Sequence, residues 1–120
     1  MLTEPESSSD AGALRTRAVR HGDEWVIDGA KQFITNAGTW MTRLIVLLAR
    51  TGERPDGTPE LSMQLVPMDA TGIAVGEPYA KMGWRCSDTG PVSFEGVRIP
   101  AANLIGPRGG GLRQTLKMLD

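Results

Sequence analysis

"WVIDGAKQFIT" occupies residues 25–35, and its reading decides the fold. Trp25, Val26 and Ile27 precede Asp28-Gly29, and Phe33, Ile34 and Thr35 close the stretch. Asp-Gly between β-formers is a strong hairpin signal, because both central positions of the tight turn need positive φ. The stretch therefore predicts two short strands, "WVIDG" and "AKQFIT", around a turn at Asp28-Gly29.

The flanking sequence extends this pattern. Upstream, "LRTRAVR" (14–20) alternates apolar or small residues with arginines, the period-two signature of a half-buried strand. "HGDE" (21–24) reads as the turn that follows it. Downstream, "RLIVLLAR" (43–50) predicts a strand buried on both faces. A polar loop, "TGERPDGTPE" (51–60), leads into "LSMQLV" (61–66), and "TGIAVG" and "PVSFEGVRIP" supply further strands. Fifteen glycines and eight prolines punctuate the chain, so helical spacing is absent until "GGGLRQTLKMLD" (109–120). There Leu112, Leu116 and Leu119 share one face. The expected fold is mainly β, a small antiparallel barrel or sandwich, with the start of a helix at its C-terminal end.

Composition narrows the function classes. At 120 residues the chain has the length of one domain, and 40% of it is hydrophobic. The formal charge of −1 leaves no basic excess for phosphate backbones, which argues against nucleic-acid binding. Cys86 and His21 are the sole residues of their kinds. An internal disulfide is therefore impossible, and no metal site is expected. Cys86 reads as a small buried hydrophobe rather than a nucleophile, and Trp40 as core. The longest apolar run, "LIVLLA" at 44–49, has strand length and falls short of the roughly 20 residues of a membrane span. The first residues lack signal-peptide character, so the expectation is a soluble protein without a membrane span.

Three stretches hold groups that could bind a ligand. "LTEPESSSDAG" (2–12) offers hydroxyls, carboxylates and successive loop N–H groups that could surround an anion. On composition alone it reads rather as a solvated terminus. "KQFITNAG" (31–38) places Thr35 and Asn36 where they could aim hydrogen bonds at a flat ligand, or simply end a strand. "KMGWRCSDTG" (81–90) brings Arg85 near Ser87, Asp88 and Thr89. Arg85 could pair with a phosphate or carboxylate, while the other three could close a loop through local bonds to the backbone. A GxGxxG fingerprint after a strand, a P-loop and a G-x-S-x-G motif are all missing.

Taken in order, "LTEP…SD", "DGAKQFITNAG", a strand ending "LLAR", "KMGWRCSDTGPVSFEGVRIPAANLIG" and "GGGLRQTLKMLD" resemble the acyl-CoA dehydrogenases. The resemblance is to their middle β-barrel domain and runs from Leu2 to Asp120. It implies a barrel over residues 1–108 and, over 109–120, the start of the first helix of a C-terminal helical domain. It implies FAD as cofactor, with Leu2 and Thr3 near the pyrimidine side of the flavin. Phe33, Ile34 and Thr35 would lie beside the ring, with the Thr35 hydroxyl near N5. Ser9 would sit by the FAD phosphates and the acyl-CoA chain.

The family's reaction takes a proton α to a thioester and passes a hydride from the β-carbon to the flavin. Fixed donors near the pyrimidine side stabilise the charge that accumulates there. The family loop reads T-E-P-x-x-G-S-D, and here Ser8 stands at the glycine position. The 51–60 loop is expected to approach the CoA moiety.

The family's catalytic carboxylate is a glutamate of the C-terminal helical domain. None of Glu4, Glu6, Glu24, Glu53, Glu60, Glu77 or Glu95 is therefore assigned that role. No catalytic residue is expected within the 120 residues, and the chain alone is expected to bind FAD weakly and to be inactive. The implied partners are an acyl-CoA substrate, N- and C-terminal helical domains, sister subunits of a homotetramer, and an electron-transfer flavoprotein as acceptor. The implied place is fatty acid metabolism, in a bacterial cytoplasm or a mitochondrial matrix. Acyl-CoA oxidases and flavin monooxygenases carry related barrels. The alternative of another class is a free-standing, non-catalytic binding module.

Overall fold

A computed structural model describes residues 1–119, the side chains of Ala11 and Leu119 excepted. Seven strands form one sheet: β1 (Arg17–His21), β2 (Glu24–Thr35), β3 (Leu44–Glu53), β4 (Pro59–Pro67), β5 (Ile73–Val75), β6 (Thr89–Pro100) and β7 (Leu104–Ile105). One helix, α1 (Gly111–Leu119), follows, and the predicted helical position Asp120 lies outside the described residues. The spatial order is β5-β6-β2-β1-β3-β4-β7. Every pairing is antiparallel except β1 with β3, which is parallel and joins at Arg17 and Arg50. The expected mainly antiparallel architecture is present. The sheet does not close, however, because its end strands β5 and β7 do not pair with each other.

The predicted alternation at 14–20 is found. Leu14, Thr16 and Ala18 are buried while Arg15 and Arg17 face solvent. The "HGDE" turn is also found, as the two-residue loop Gly22-Asp23 between paired His21 and Glu24.

The hairpin expected at Asp28-Gly29 is not formed. β2 runs straight through it, and its register against β6 shifts between Ile27 and Gly29. Gly29 has φ +149°, and a Cβ there would lie 2.6 Å from Thr16 Cα. Glycine is thus required for the close approach of the segment preceding β1, not for a reversal. The Asp28 carboxylate accepts from Gly96 N–H at 2.7 Å, bridging the irregular register.

Strand β3 departs from its expected double burial at one end, since Leu44 and Val46 are exposed. Ile45, Leu47 and Ala49 point into the main core with Trp25, Ile27, Phe94, Val97 and Ile99. Leu48 packs on the other face with Leu14 and Leu61, and α1 covers that cluster through Leu112. Of the predicted apolar helix face, Leu112 is half-buried and Leu116 is exposed.

Candidate functional site

β2 is longer than β1, and this leaves room in the sheet. β1 pairs with residues 24–28 of β2 and meets β3 only at Arg50. Below β1, the second half of β2 and the first half of β3 are bridged by residues 1–3. Gln32 N–H donates to the Thr3 carbonyl at 2.9 Å, and Leu48 N–H donates to the Met1 carbonyl at 3.2 Å. Leu2 and Thr3 are therefore held as part of the sheet, and the opening stretch is not a solvated tail.

The chain then turns sharply. Glu4 and Ser7 exchange backbone hydrogen bonds across Pro5-Glu6, and the Ser7 hydroxyl donates to the Asp10 carbonyl at 2.5 Å. Ser8 and Ser9 form an exposed bend beyond the turn. Among the described residues, the non-glycine residues with positive φ are Phe33, Asn36 and Trp84. Ser8 is not among them, so serine is accommodated here without left-handed strain.

Beneath the segment lies a buried ion pair. Lys31 Nζ is 2.7 Å from Glu4 Oε1, and it also donates to the carbonyls of Leu2 (3.1 Å) and Leu48 (2.9 Å). The Glu4 carboxylate further accepts from Arg15 N–H at 2.6 Å and Thr16 N–H at 3.1 Å. Burial pushes the Glu4 carboxyl up, but the bonds from Lys31, Thr16 and Arg15 together outweigh it and hold the group below its ordinary 4.5. Burial likewise pulls the Lys31 ammonium below its ordinary 10.5, with Glu4 opposing that shift. Sequence reasoning missed this pair. Its signal was a lysine four residues beyond buried Ile27, in a strand that otherwise alternates.

Past Lys31, β2 bulges. Its register against β6 shifts between Lys31 and Ile34, and Phe33 adopts φ +57°. A bulky residue in left-handed backbone is strained, and such strain concentrates at functional sites. The bulge turns Phe33 outward, where it is 59% exposed and meets Tyr79 with ring centroids 5.2 Å apart. Ile34 is half-buried beneath it, and Thr35 is exposed opposite Thr89. Gln32 thus brings the Leu2–Thr3 backbone beside the bulge that carries Phe33, Ile34 and Thr35, while the Leu2 side chain packs on the Leu14–Leu48–Leu61 cluster and Ile34 on the main core. Ser9 is carried beyond the Pro5-Glu6 turn, on the exposed bend.

Asp88 ties the next loop to this region. Its carbonyl accepts from Asn36 N–H at 2.8 Å and its carboxylate from Gly38 N–H at 2.8 Å. The Asn36 carbonyl then accepts the hydroxyls of Thr39 (3.1 Å) and Thr42 (2.6 Å). Asn36 and Asp88 thus build the loop rather than face a ligand through these bonds.

Trp40, expected in the core, is 81% exposed, and Trp84 is 84% exposed. Each sits on a loop beside the Thr35–Thr89 end of the sheet. Cys86, expected to be buried, is exposed in the same turn as Trp84. Arg85 donates to the Lys81 carbonyl at 3.0 Å, and Lys81 holds the Ser87 carbonyl and the Thr89 hydroxyl. The 81–90 stretch is therefore a locally bonded loop.

Half of the 51–60 segment is strand, since β3 runs to Glu53 and β4 begins at Pro59. It is fastened to the turn before α1 by Arg108–Glu60 at 2.6 Å and by Arg54 donating to the Gly109 carbonyl at 2.9 Å. Four of the seven glutamates are engaged in ion pairs: Glu4, Glu24, Glu53 and Glu60.

The region around Gln32 presents an aromatic face, an exposed hydroxyl and a fixed backbone edge. That combination suits a flat ligand with a polar rim.

Comparison with known proteins points the same way. The family described as acyl-CoA dehydrogenase, middle domain, matches residues 1–97. The chain is 45% identical over 119 residues to the probable acyl-CoA dehydrogenase YngJ of Bacillus subtilis (strain 168), covering 99% of this chain and 31% of that protein. A solved structure of a probable acyl-CoA dehydrogenase from Mycobacterium abscessus superposes with a TM-score of 0.87 at 40% identity, over 98% of this chain and 30% of that one. An acyl-CoA dehydrogenase complexed with FAD from Bacillus anthracis superposes with a TM-score of 0.88 at 32% identity, over 98% of this chain and 19% of that one. The chain spans 28 to 31% of the length of the curated relatives it matches.

Proposed function

The chain belongs to the acyl-CoA dehydrogenase family, as its middle domain, and from that premise we propose that it forms the FAD-contacting β surface of an enzyme that desaturates acyl-CoA thioesters. The observation that carries the reading is the placement of Leu2–Thr3 beside the outward bulge of Phe33–Thr35. Phe33 offers an aromatic face, Thr35 a hydroxyl and the segment a rigid backbone edge, and this set fits a flavin's flat ring with its polar rim. Bound there, FAD would supply the two-electron acceptor for the thioester's α and β carbons. This chain's residues orient the ring and set its electrostatic surroundings. Leu2, Thr3, Phe33, Ile34 and Thr35 hold the ring. Ser9, on the exposed bend, is assigned to the FAD phosphates and the acyl-CoA chain.

In this reading residues 1–108 are the middle domain, and α1 begins a C-terminal helical domain that carries the catalytic glutamate. An N-terminal helical domain, a homotetramer and an electron-transfer flavoprotein as acceptor complete the assembly. Its setting is the bacterial cytoplasm or the mitochondrial matrix.

Anaerobic titration of the full-length polypeptide carrying this segment tests the reading. Purified with FAD, it should show a visible flavin band that bleaches on adding an acyl-CoA. Replacing Thr35 with Val should slow that bleaching about tenfold or more, the scale of a lost positioned hydrogen bond. Absence of flavin binding would refute the proposal.

A further inference from the structure

We infer that Glu4 and Lys31 are positioning residues whose buried ion pair sets the register of the Leu2–Thr3 main chain against Gln32 and Phe33, and through it the flavin-facing geometry. The inference rests on the FAD reading above.

Lys31 Nζ has three donor hydrogens, and its three acceptors lie on two chain segments. Leu2 O and Glu4 Oε1 belong to the opening segment, and Leu48 O is on β3. Glu4 in turn collects the backbone N–H groups of Arg15 and Thr16, which lead into β1. The pair thus pins the opening segment to β1, β2 and β3 at once. Both side chains are sealed from water, at 0% and 1% exposure.

Stability alone does not explain such a choice. A buried ion pair is often no better than well-packed apolar residues of the same volume. What the ion pair adds is directional. A one-residue slip of the segment would separate Leu2 O from Lys31 and withdraw the carboxylate from two amides, leaving buried groups unpaired. Apart from the pair, the opening segment is tied to β2 by Gln32, through its N–H to Thr3 O and its Nε2 to Glu4 O, and to β3 by Met1. The pair adds the bonds that reach both strands from one buried point. Leu2 and Thr3 immediately precede Glu4, and Phe33 stands two residues beyond Lys31. Any shift at the pair is therefore passed to the proposed flavin contacts.

The test uses the full-length flavoprotein with four variants: Lys31→Met, Glu4→Gln, the double variant, and Ile99→Ala as a core control on β6. Three quantities are read: amide exchange at Gln32 and Leu48, the FAD dissociation constant, and the flavin midpoint potential. Lys31→Met and Glu4→Gln should speed exchange at both amides at least tenfold, weaken FAD about tenfold and shift the potential. The double variant, which leaves no lone buried charge, should melt higher than Lys31→Met while its FAD affinity and potential stay displaced. Ile99→Ala should lower the melting temperature and leave affinity and potential at wild-type values.

The inference is overturned if the double variant restores affinity and potential, or if Ile99→Ala moves them equally. It is also overturned if the two amides keep wild-type exchange in Lys31→Met. Failure of the unmodified protein to bind FAD refutes the functional reading itself. The amide exchange then still reports whether the pair sets the register.

Discussion

Lys31 Nζ lies 2.7 Å from Glu4 Oε1, and these two residues, 27 positions apart, join the opening segment to the ladder between β2 and β6. Removing one partner strands a charge in a place water does not reach. Glu4→Gln should therefore cost about 3 kcal/mol at neutral pH, the usual scale for a broken buried pair. Urea unfolding of the two proteins measures the difference.

The same pair gives stability a pH dependence of definite sign. The Glu4 carboxyl is held below its ordinary 4.5, so its contribution is complete above that value. It is lost as pH falls through the lower folded value. The difference in melting temperature between wild type and Glu4→Gln should stay level from pH 6 to 8 and close in acid. Lys31 is also held below its ordinary 10.5, so the unfolded chain keeps that proton longer. Stability should accordingly rise with pH in the window just under 10.5 in wild type and not in Lys31→Met.

Gly29→Ala should destabilise by about 1–3 kcal/mol, as overpacking does. The added methyl would meet Thr16 Cα at 2.6 Å, and that backbone cannot yield without moving the approach to β1. The midpoint of urea unfolding should fall with little change in slope. An unchanged midpoint would show that Asp28-Gly29 is not the tight crossing described above.

Phe33→Gly separates strain from function. Glycine relieves the cost of φ +57°, about 1 kcal/mol for a non-glycine residue. Phe33 is mostly exposed, so little burial is lost. The melting temperature should hold or rise while FAD binding weakens several-fold, measured by flavin fluorescence. Weakened binding together with a marked loss of stability would contradict this assignment.

Asp88→Ala should release the Gly38 amide and cost about 1 kcal/mol, the worth of one such hydrogen bond. Hydrogen exchange should quicken at Gly38 and through the Thr39–Thr42 turn, leaving the β1–β2 hairpin as protected as before.

Much of the fold was legible because period-two burial is a local property. Leu14, Thr16 and Ala18 betrayed their strand through simple alternation, whereas the alternation expected over 61–66 is absent, since Leu61, Ser62, Met63 and Gln64 are buried in succession on β4. Asp28-Gly29 misled because the same dipeptide serves a turn and a bulge, and the choice rests with Thr16, a residue distant in sequence. Trp40 and Cys86 misled because both lie on exposed loops, and residue type alone does not say which segment becomes a loop. The order of the short motifs led to Leu2, Thr3 and Phe33–Thr35 as the proposed flavin contacts, and in the structure Gln32 ties Thr3 to that stretch of β2. The Glu4–Lys31 pair was not, since a single charged residue in a strand does not reveal what it will meet across the sheet.

The sheet's two ends carry a different consequence. An open sheet exposes unpaired backbone groups at its borders, and long borders recruit neighbouring chains into aggregates. Here the border strands are three residues (β5) and two residues (β7) long. Pro78 follows β5 closely, and Pro107 stands just beyond β7. Each outermost strand therefore offers a passing chain only a brief template. By keeping its outermost strands this brief, the protein resists growing sideways into a fibril.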